Sequence, residues 1–402
     1  MKGEYGSQRE SQPVSIEETN ENRTVAIVSS SRADLAHLVH PLRALVASDV
    51  IEPTVLATGA LLQDEFGSSV GRLAEESIPF ESVPCDLEIQ RGVDAARAIG
   101  HATIAFADVL DRIQPDLLMV VADRFEMLAP ANAALAMKIP IIHVEGGERS
   151  EGAIDDAVRN ALTKMAHLHL VTTEAARRRV MAMGEEPWRV HRVGAGSLDH
   201  FLLSRLPDAR ELEARLGIPE DGALILAAVH PVTLQKDPTA DALALIDALS
   251  RRTDPTETIF FAFPNADEGS RIIRDAVQSF VQRRPRVVIR TNLDPETWLG
   301  LMHRASVVVG NSSSVLMETP SVPVPAVCIG RRQEGRERAA NIVDCPAEPT
   351  LIADALEQAS RLTLKGVENP YGDGNASIRI RQVLESAPQR QRLLDKSTTL
   401  LD

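Results

Sequence analysis

The chain has 402 residues, 44% of them hydrophobic and 25% charged. That balance supports a packed core and excludes global disorder. A net charge of −14 and only 3% aromatic residues argue against nucleic acid or an anionic membrane as the main partner, since one needs a basic field and stacking platforms and the other a basic field. No apolar run reaches the roughly 20 residues that span a bilayer.

Residues 1–22 are polar, lack the apolar stretch of a signal peptide and read as a flexible tail. Short β-rich apolar runs then alternate with helical patterns. The first series of expected strands is Thr24–Ser30, Pro53–Ala57, Leu117–Ala122, Pro140–Val144 and Leu168–Thr172, with helices such as Glu126–Lys138 and Glu174–Met183 between them. A charged helix bounded by Pro207, Gly217, Pro219 and Gly222 interrupts the pattern. A second series follows at Leu224–Val229, Thr258–Phe263, Arg286–Arg290, Ser306–Val309 and Ala326–Ile329. Continuous apolar strands separated by helices imply parallel sheets covered on both faces. The reading is α/β: two doubly wound, Rossmann-like domains, 23–205 and 206–380, facing a cleft. A helical segment, 381–402, is placed to pack back on the first domain. Cys85, Cys328 and Cys345 are sparse and without metal spacing, which fits buried thiols in a reducing cytoplasm.

The residues with chemical potential lie just after strands, where such sheets bind ligands. Arg32, in Ser29-Ser30-Ser31-Arg32-Ala33-Asp34, either meets an anion at a helix start or is a solvated residue beside an N-cap. Asp123, followed by Arg124, either caps the next helix or projects into the cleft as an acid/base. Glu145 precedes Gly146-Gly147. Asp155 and Asp156 open the next helix, where acids also suit the dipole. Asp123, Glu145 and Asp155 gather at one sheet edge, and crowded carboxylates push their pKa values apart.

In the second half, His230 ends a strand in Val229-His230-Pro231. It suits a phosphate contact, proton transfer or a structural role. Asn265 lies in the turn Pro264–Ser270. Ser312, Ser313 and Ser314 follow Gly310-Asn311 at a helix start and form a candidate diphosphate cradle, with Glu318 one turn on for ribose hydroxyls. Arg332 belongs to an arginine-rich loop, Gly330–Arg336, whose guanidinium forks suit phosphate oxygens. There is no G-x-G-x-x-G after the first strand, no P-loop and no nucleophile elbow, and the His, Cys and carboxylate spacings spell no zinc site.

Taken in order, Arg32-Ala33-Asp34, Asp123-Arg124-Phe125-Glu126, Glu145-Gly146-Gly147-Glu148, Gly152-Ala153-Ile154-Asp155-Asp156, His230-Pro231-Val232-Thr233, Pro264-Asn265, Gly310-Asn311-Ser312-Ser313-Ser314, Arg332-Gln333-Glu334-Gly335-Arg336 and Tyr371-Gly372-Asp373-Gly374-Asn375 resemble the hydrolysing UDP-N-acetylglucosamine 2-epimerases of sialic and legionaminic acid synthesis. The match runs from about residue 24 to 385. The resemblance implies a glycosyltransferase-B type fold and a reaction in two halves: loss of UDP to give a 2-acetamidoglycal, then hydration with inversion at C2. It implies Asp123, Glu145, Asp155 and Asp156 as acid/base carboxylates, and His230 and Arg124 as phosphate or proton-transfer groups. Arg32, Ser312, Ser313, Ser314, Glu318 and Arg332 would hold UDP, with Asn265 nearby. No metal or redox cofactor is implied, and the partner is a small-molecule nucleotide sugar. The family is usually dimeric or tetrameric, so a homodimer or homotetramer is expected. Two positions depart from the family pattern. Asn160 stands where a His usual in the family follows Arg159, and Leu35 replaces an aromatic residue, so a change in proton transfer or in the sugar or base pocket is expected there. Competing readings are a nucleotide-sugar hydrolase that retains C2, a glycosyltransferase on the same scaffold, and a UDP-sugar sensor.

Overall fold

A computed structural model describes residues 22–63, 70–84, 92–149, 154–232, 235–262, 269–291 and 293–399. Asn265, Cys85, Gly152, Ala153 and Thr233 lie outside the described residues, as does the tail before Asn22.

Two all-parallel sheets organise the chain. The first has seven strands: β1 (Arg23–Ser29), β2 (Ile51–Ala57), β3 (Phe80–Ser82), β4 (Leu117–Val121), β5 (Ile141–Val144), β6 (Leu168–Val171) and β7 (Val190–Arg192). Their order is β3-β2-β1-β4-β5-β6-β7. The second has six: β8 (Leu224–Ala228), β9 (Thr258–Ala262), β10 (Val287–Arg290), β11 (Val307–Gly310), β12 (Ala326–Ile329) and β13 (Ile342–Cys345), in the order β10-β9-β8-β11-β12-β13. In each sheet the order in which successive strands are added reverses once, between β1 and β4 and between β8 and β11. These are the topological switch points where open α/β sheets bind ligands.

The central strands are apolar throughout because both their faces are covered. Alternate residues of the second sheet feed separate cores: Ile225, Ala227, Phe261 and Val309 on one side, Leu224, Leu226, Phe260 and Val308 on the other. β3, β7 and β13 were not expected from sequence. Each is a short edge strand with exposed or half-buried positions, so it lacks the continuous apolar run of an inner strand. The expected helix Glu126–Lys138 divides into a 3₁₀ turn, Phe125–Met127, and a helix, Leu128–Ala136.

The return to the first domain starts with the helix Ala376–Glu385 rather than at residue 381. Ile380, Leu384, Ala387 and Leu393 join the first domain's core. Asp199 receives the N–H groups of Ala376 (2.9 Å) and Ser377 (2.6 Å), which neutralises two unpaired donors at that helix start. Across the cleft, Arg72 pairs with Glu296 at 2.6 Å, and Arg336 Nε donates to the Arg149 carbonyl at 2.6 Å. These contacts hold the two switch points face to face.

Candidate active site

Two chambers occupy the cleft. One, of about 410 Å³, is lined by Asp123, Arg124, Glu145, Asp155, Arg159 and Arg332, among others. The second, of about 220 Å³, is lined by Arg32, Arg290, Trp298, Ser312, Ser314 and Glu318, among others. Among the described residues they share Ala33, His37, His230 and Ser312.

The backbone turns sharply where β4 and β5 deliver the carboxylates. Ala122 (φ 55°) and Glu145 (φ 63°) are left-handed without being glycine, a strain of roughly 1–3 kcal/mol each that the surroundings must hold. Two ladder bonds continue through the bends: Ala122 N–H to Val144 O (2.9 Å) and Glu145 N–H to Leu170 O (2.8 Å). Buried His143 adds its Nε2 at 2.8 Å from the Ala122 carbonyl. Burial pushes the His143 pKa down to about 4, so the ring is neutral and its Nε2–H donates.

Asp123 pairs with Arg159 from the helix Asp155–Met165. Burial alone would raise its pKa. The guanidinium of Arg159, with Arg336, Arg332 and Arg124 behind it, outweighs burial and holds Asp123 below the usual carboxylate range. Asp155 behaves oppositely. Burial and then the charge of Asp123 push it up to about 6. One chamber therefore holds a firmly ionised carboxylate beside one poised near neutrality, the split that yields a base and an acid in one site. Glu145 is paired with His37 at 2.8 Å. Burial opposes its ionisation, but His37, with Arg159 and Arg336, keeps its pKa low.

On the opposite wall, Asn311 is fully buried and clamps His230. Its Oδ1 accepts from the His230 N–H at 2.7 Å and its Nδ2 donates to the His230 carbonyl at 2.9 Å. Gln333 and Arg332 in turn donate to the Asn311 carbonyl. Gly310 permits this closeness, since a Cβ there would lie 1.8 Å from the Ala228 carbonyl oxygen. Burial, then Arg332, lowers the His230 pKa to about 3, so His230 is a neutral ring. Glu318 accepts from Trp298 Nε1 at 3.0 Å. In the same chamber, Arg32 Nη1 is buried without a hydrogen-bond partner among the described residues.

The structure thus brings Arg32, Asp123, Arg124, Glu145, Asp155, His230, Ser312, Ser313, Ser314, Glu318 and Arg332 to the chambers. Asp156 is different. It lines neither chamber and accepts from Asn160 Nδ2 at 3.2 Å on the outer face of its helix, because adjacent helical residues point about 100° apart. Leu35 is 2% exposed within the first domain's core and shapes neither chamber. Sequence reasoning overlooked His37 and Asn311. The i, i+4 spacing of Ala33 and His37 on the helix Arg32–Val46 was a usable signal for the first. Asn311 gave none, because its partner is a backbone 81 residues away.

A family model described as UDP-N-acetylglucosamine 2-epimerase matches residues 43–385. The chain belongs to the UDP-N-acetylglucosamine 2-epimerase family. It is 31% identical to the UDP-N,N'-diacetylbacillosamine 2-epimerase (hydrolyzing) of Legionella pneumophila over 93% of this chain and 98% of that one. It is 32% identical to the GDP/UDP-N,N'-diacetylbacillosamine 2-epimerase (hydrolyzing) of Campylobacter jejuni, over 80% and 84%. In fold it is similar to the crystal structure of the Neisseria meningitidis UDP-GlcNAc 2-epimerase bound to UDP-GlcNAc, with a TM-score of 0.74, 19% identity, and coverage of 90% and 99%. The glycosyltransferase-B type architecture expected from the sequence is the one observed. Among the described residues no helix is long and apolar enough to cross a membrane.

Proposed function

We propose that this epimerase hydrolyses a UDP-2-acetamido sugar to UDP and the free 2-epimer, through a glycal. The observation that carries the reading is that Asp123, paired with Arg159, and Asp155 face one chamber that is joined, past Ser312, to a second lined by Arg32, Trp298 and Glu318. The sugar occupies the carboxylate chamber. The nucleoside lies by Arg32, Trp298 and Glu318. The diphosphate passes between them.

The chemistry follows from what each group can do. C2–H is weakly acidic, so its removal needs a base near its working pH, and Asp155 fits that requirement. Asp123, held ionised by Arg159, takes a proton from the water that adds at C1 and passes it to C2 on the face opposite Asp155, which inverts C2 with a hydrogen drawn from solvent. Arg332 and the Ser312–Ser314 segment offset the charge that grows on the leaving diphosphate. Hydration of the C1=C2 bond then places a hydroxyl on C1 and hydrogen on C2.

Within the class we favour a 2,4-diacetamido-6-deoxy sugar over N-acetylglucosamine. The two curated relatives act, by name, on diacetylbacillosamine nucleotides. The sugar chamber also carries Val121, Phe125, Ile154, Val232 and Met317, an apolar share that suits a C6 methyl better than a hydroxymethyl. Proton NMR in D₂O with each UDP-sugar is the test. UDP release with deuterium at C2 of a manno-configured product is the expected result. Release with C2–H retained would point to a plain hydrolase, and transfer to an added acceptor to a glycosyltransferase.

A further inference from the structure

We propose that His37 is a catalytic cation of this site, an imidazolium held by Glu145 on one ring nitrogen and donating from the other to the departing diphosphate oxygen. The proposal rests on the nucleotide-sugar reading above. It changes the part played by Glu145, which acts on the reaction through His37.

Position is the first argument. His37 lies on the helix that follows β1 and lines both chambers. A ligand spanning the two must put its connecting diphosphate past the residues they share. Of those, Ala33 is apolar, Ser312 is uncharged and His230 is a neutral ring, which leaves His37 as the cation at the junction. Its turn of helix is fixed from behind: Gly196 packs so closely that a Cβ there would meet the His37 carbonyl oxygen at 2.1 Å.

The pairing is the second argument. Nδ1 stands 2.8 Å from Glu145 Oε1, and the Glu145 side chain is only 9% exposed. A buried carboxylate favours a protonated partner over a neutral one. With Nδ1 so engaged, Nε2 makes no hydrogen bond among the described residues, while the side chain keeps 24% exposure toward the cavity. The strongest charges acting on the ring are acids: Glu145 after β5, Glu318 from the second domain, and Asp34 on the same helix, while the guanidiniums of Arg32, Arg159 and Arg332 line the same chambers. Across the junction stand neutral His230 and Ser312, with Ser197 and His200 in the nucleoside chamber. Burial alone would lower the His37 pKa, but Glu145 chiefly, then Glu318 and Asp34, raise it to about 9.

In the elimination the C2 proton passes to a carboxylate, the C1=C2 bond forms and the C1–O bond breaks. Its electron pair stays on the diphosphate oxygen, where the Nε2–H bond strengthens as charge grows. A donor that gains strength only as charge develops speeds the step by about a hundredfold or more.

The experiment compares wild type with His37→Gln, His37→Lys and Glu145→Gln. It follows UDP release from both UDP-sugars and UDP affinity by calorimetry, each from pH 6 to 10, with thermal melting as the check on folding. Wild-type kcat/KM is expected to fall above about pH 9, as His37 loses its proton. His37→Gln should lower kcat about a hundredfold with an unchanged melting temperature. His37→Lys should recover part of the rate and move the alkaline limb to higher pH. Glu145→Gln should bring the alkaline loss of UDP affinity down toward neutrality. A His37→Gln enzyme within threefold of wild type, or a His37→Lys enzyme with neither rescue nor a moved limb, overturns the proposal. If wild type releases UDP from neither sugar, the epimerase reading fails by itself. Binding then decides: UDP affinity that weakens above pH 9 in wild type but not in His37→Gln upholds the diphosphate contact, and equal profiles overturn it.

Discussion

Replacing Asn311 with alanine should loosen the junction between the chambers. The side chain is fully buried and spans the ends of β8 and β11, taking the His230 N–H at 2.7 Å and giving to its carbonyl at 2.9 Å. Truncation leaves both backbone groups without their partner. An unsatisfied buried group costs about 1–3 kcal/mol, so the pair costs about 2–6 kcal/mol. Urea unfolding reads that loss as a lower midpoint with an unchanged slope. The same truncation frees His230 relative to Ser312, so UDP affinity should weaken at least about tenfold, or about 1.4 kcal/mol. Asn311→Asp sharpens the test. One carboxylate oxygen still accepts from the N–H, but the other now faces the His230 carbonyl. Only the protonated acid can donate there, so the deficit of Asn311→Asp should shrink as pH falls. An Asn311→Ala protein with the wild-type urea midpoint and wild-type UDP affinity would refute the clamp.

The remaining expectations concern the carboxylates. Asp123→Asn should reduce UDP release by about 10²–10⁴-fold while calorimetry shows UDP still bound, whereas Asp156→Asn, altering a residue on the outer face, should stay within about twofold of wild type; equal losses would mean that the outward placement of Asp156 is wrong. Asp155, as a base with its pKa raised to about 6, must be ionised to act. The acid limb of kcat/KM should therefore fall about tenfold per pH unit below about 6, and a limb near the ordinary carboxylate value of about 4 would show that neither burial nor Asp123 raises it.

The architecture was legible because it depends on periodicity and on where punctuation falls. Ten runs, nine inner strands and the edge strand β10, were apolar enough to declare themselves, and the helix Asp208 caps at Ala209–Leu216 marked the interval between sheets. β3, β7 and β13 were not legible, since a strand paired on one side needs no continuous apolar run. Within the site, residues directly after strands could be placed by rule. Groups supplied by a helix face or by burial could not. Arg159 was visible only as the neighbour of Asn160. Its ion pair with Asp123 exists because the helix Asp155–Met165 turns it inward, to 3% exposure, while Asn160 is turned out. The opposed pKa values of Asp123 and Asp155 are likewise properties of the assembled cleft.

That geometry also bears on the two departures from the family pattern. Leu35 and Asn160 invited an account of altered substrate choice. Leu35 is sealed in the core, and Asn160 faces Asp156 on an outer helix face. Neither touches the chambers, so neither can select a sugar by contact. Selection must come from groups that do line the sugar chamber, and these divide by chemistry. In the proposed reaction Asp123, Asp155, Arg159 and Arg332 would serve the reacting carbons and the diphosphate, which every substrate of the class shares. Phe125, Ile154, Val232 and Met317 contribute no proton or charge, and a C6 methyl or a C4 acetamido group is what their surface can distinguish. On that reading a change of substrate would require change in the second set while the first stays fixed.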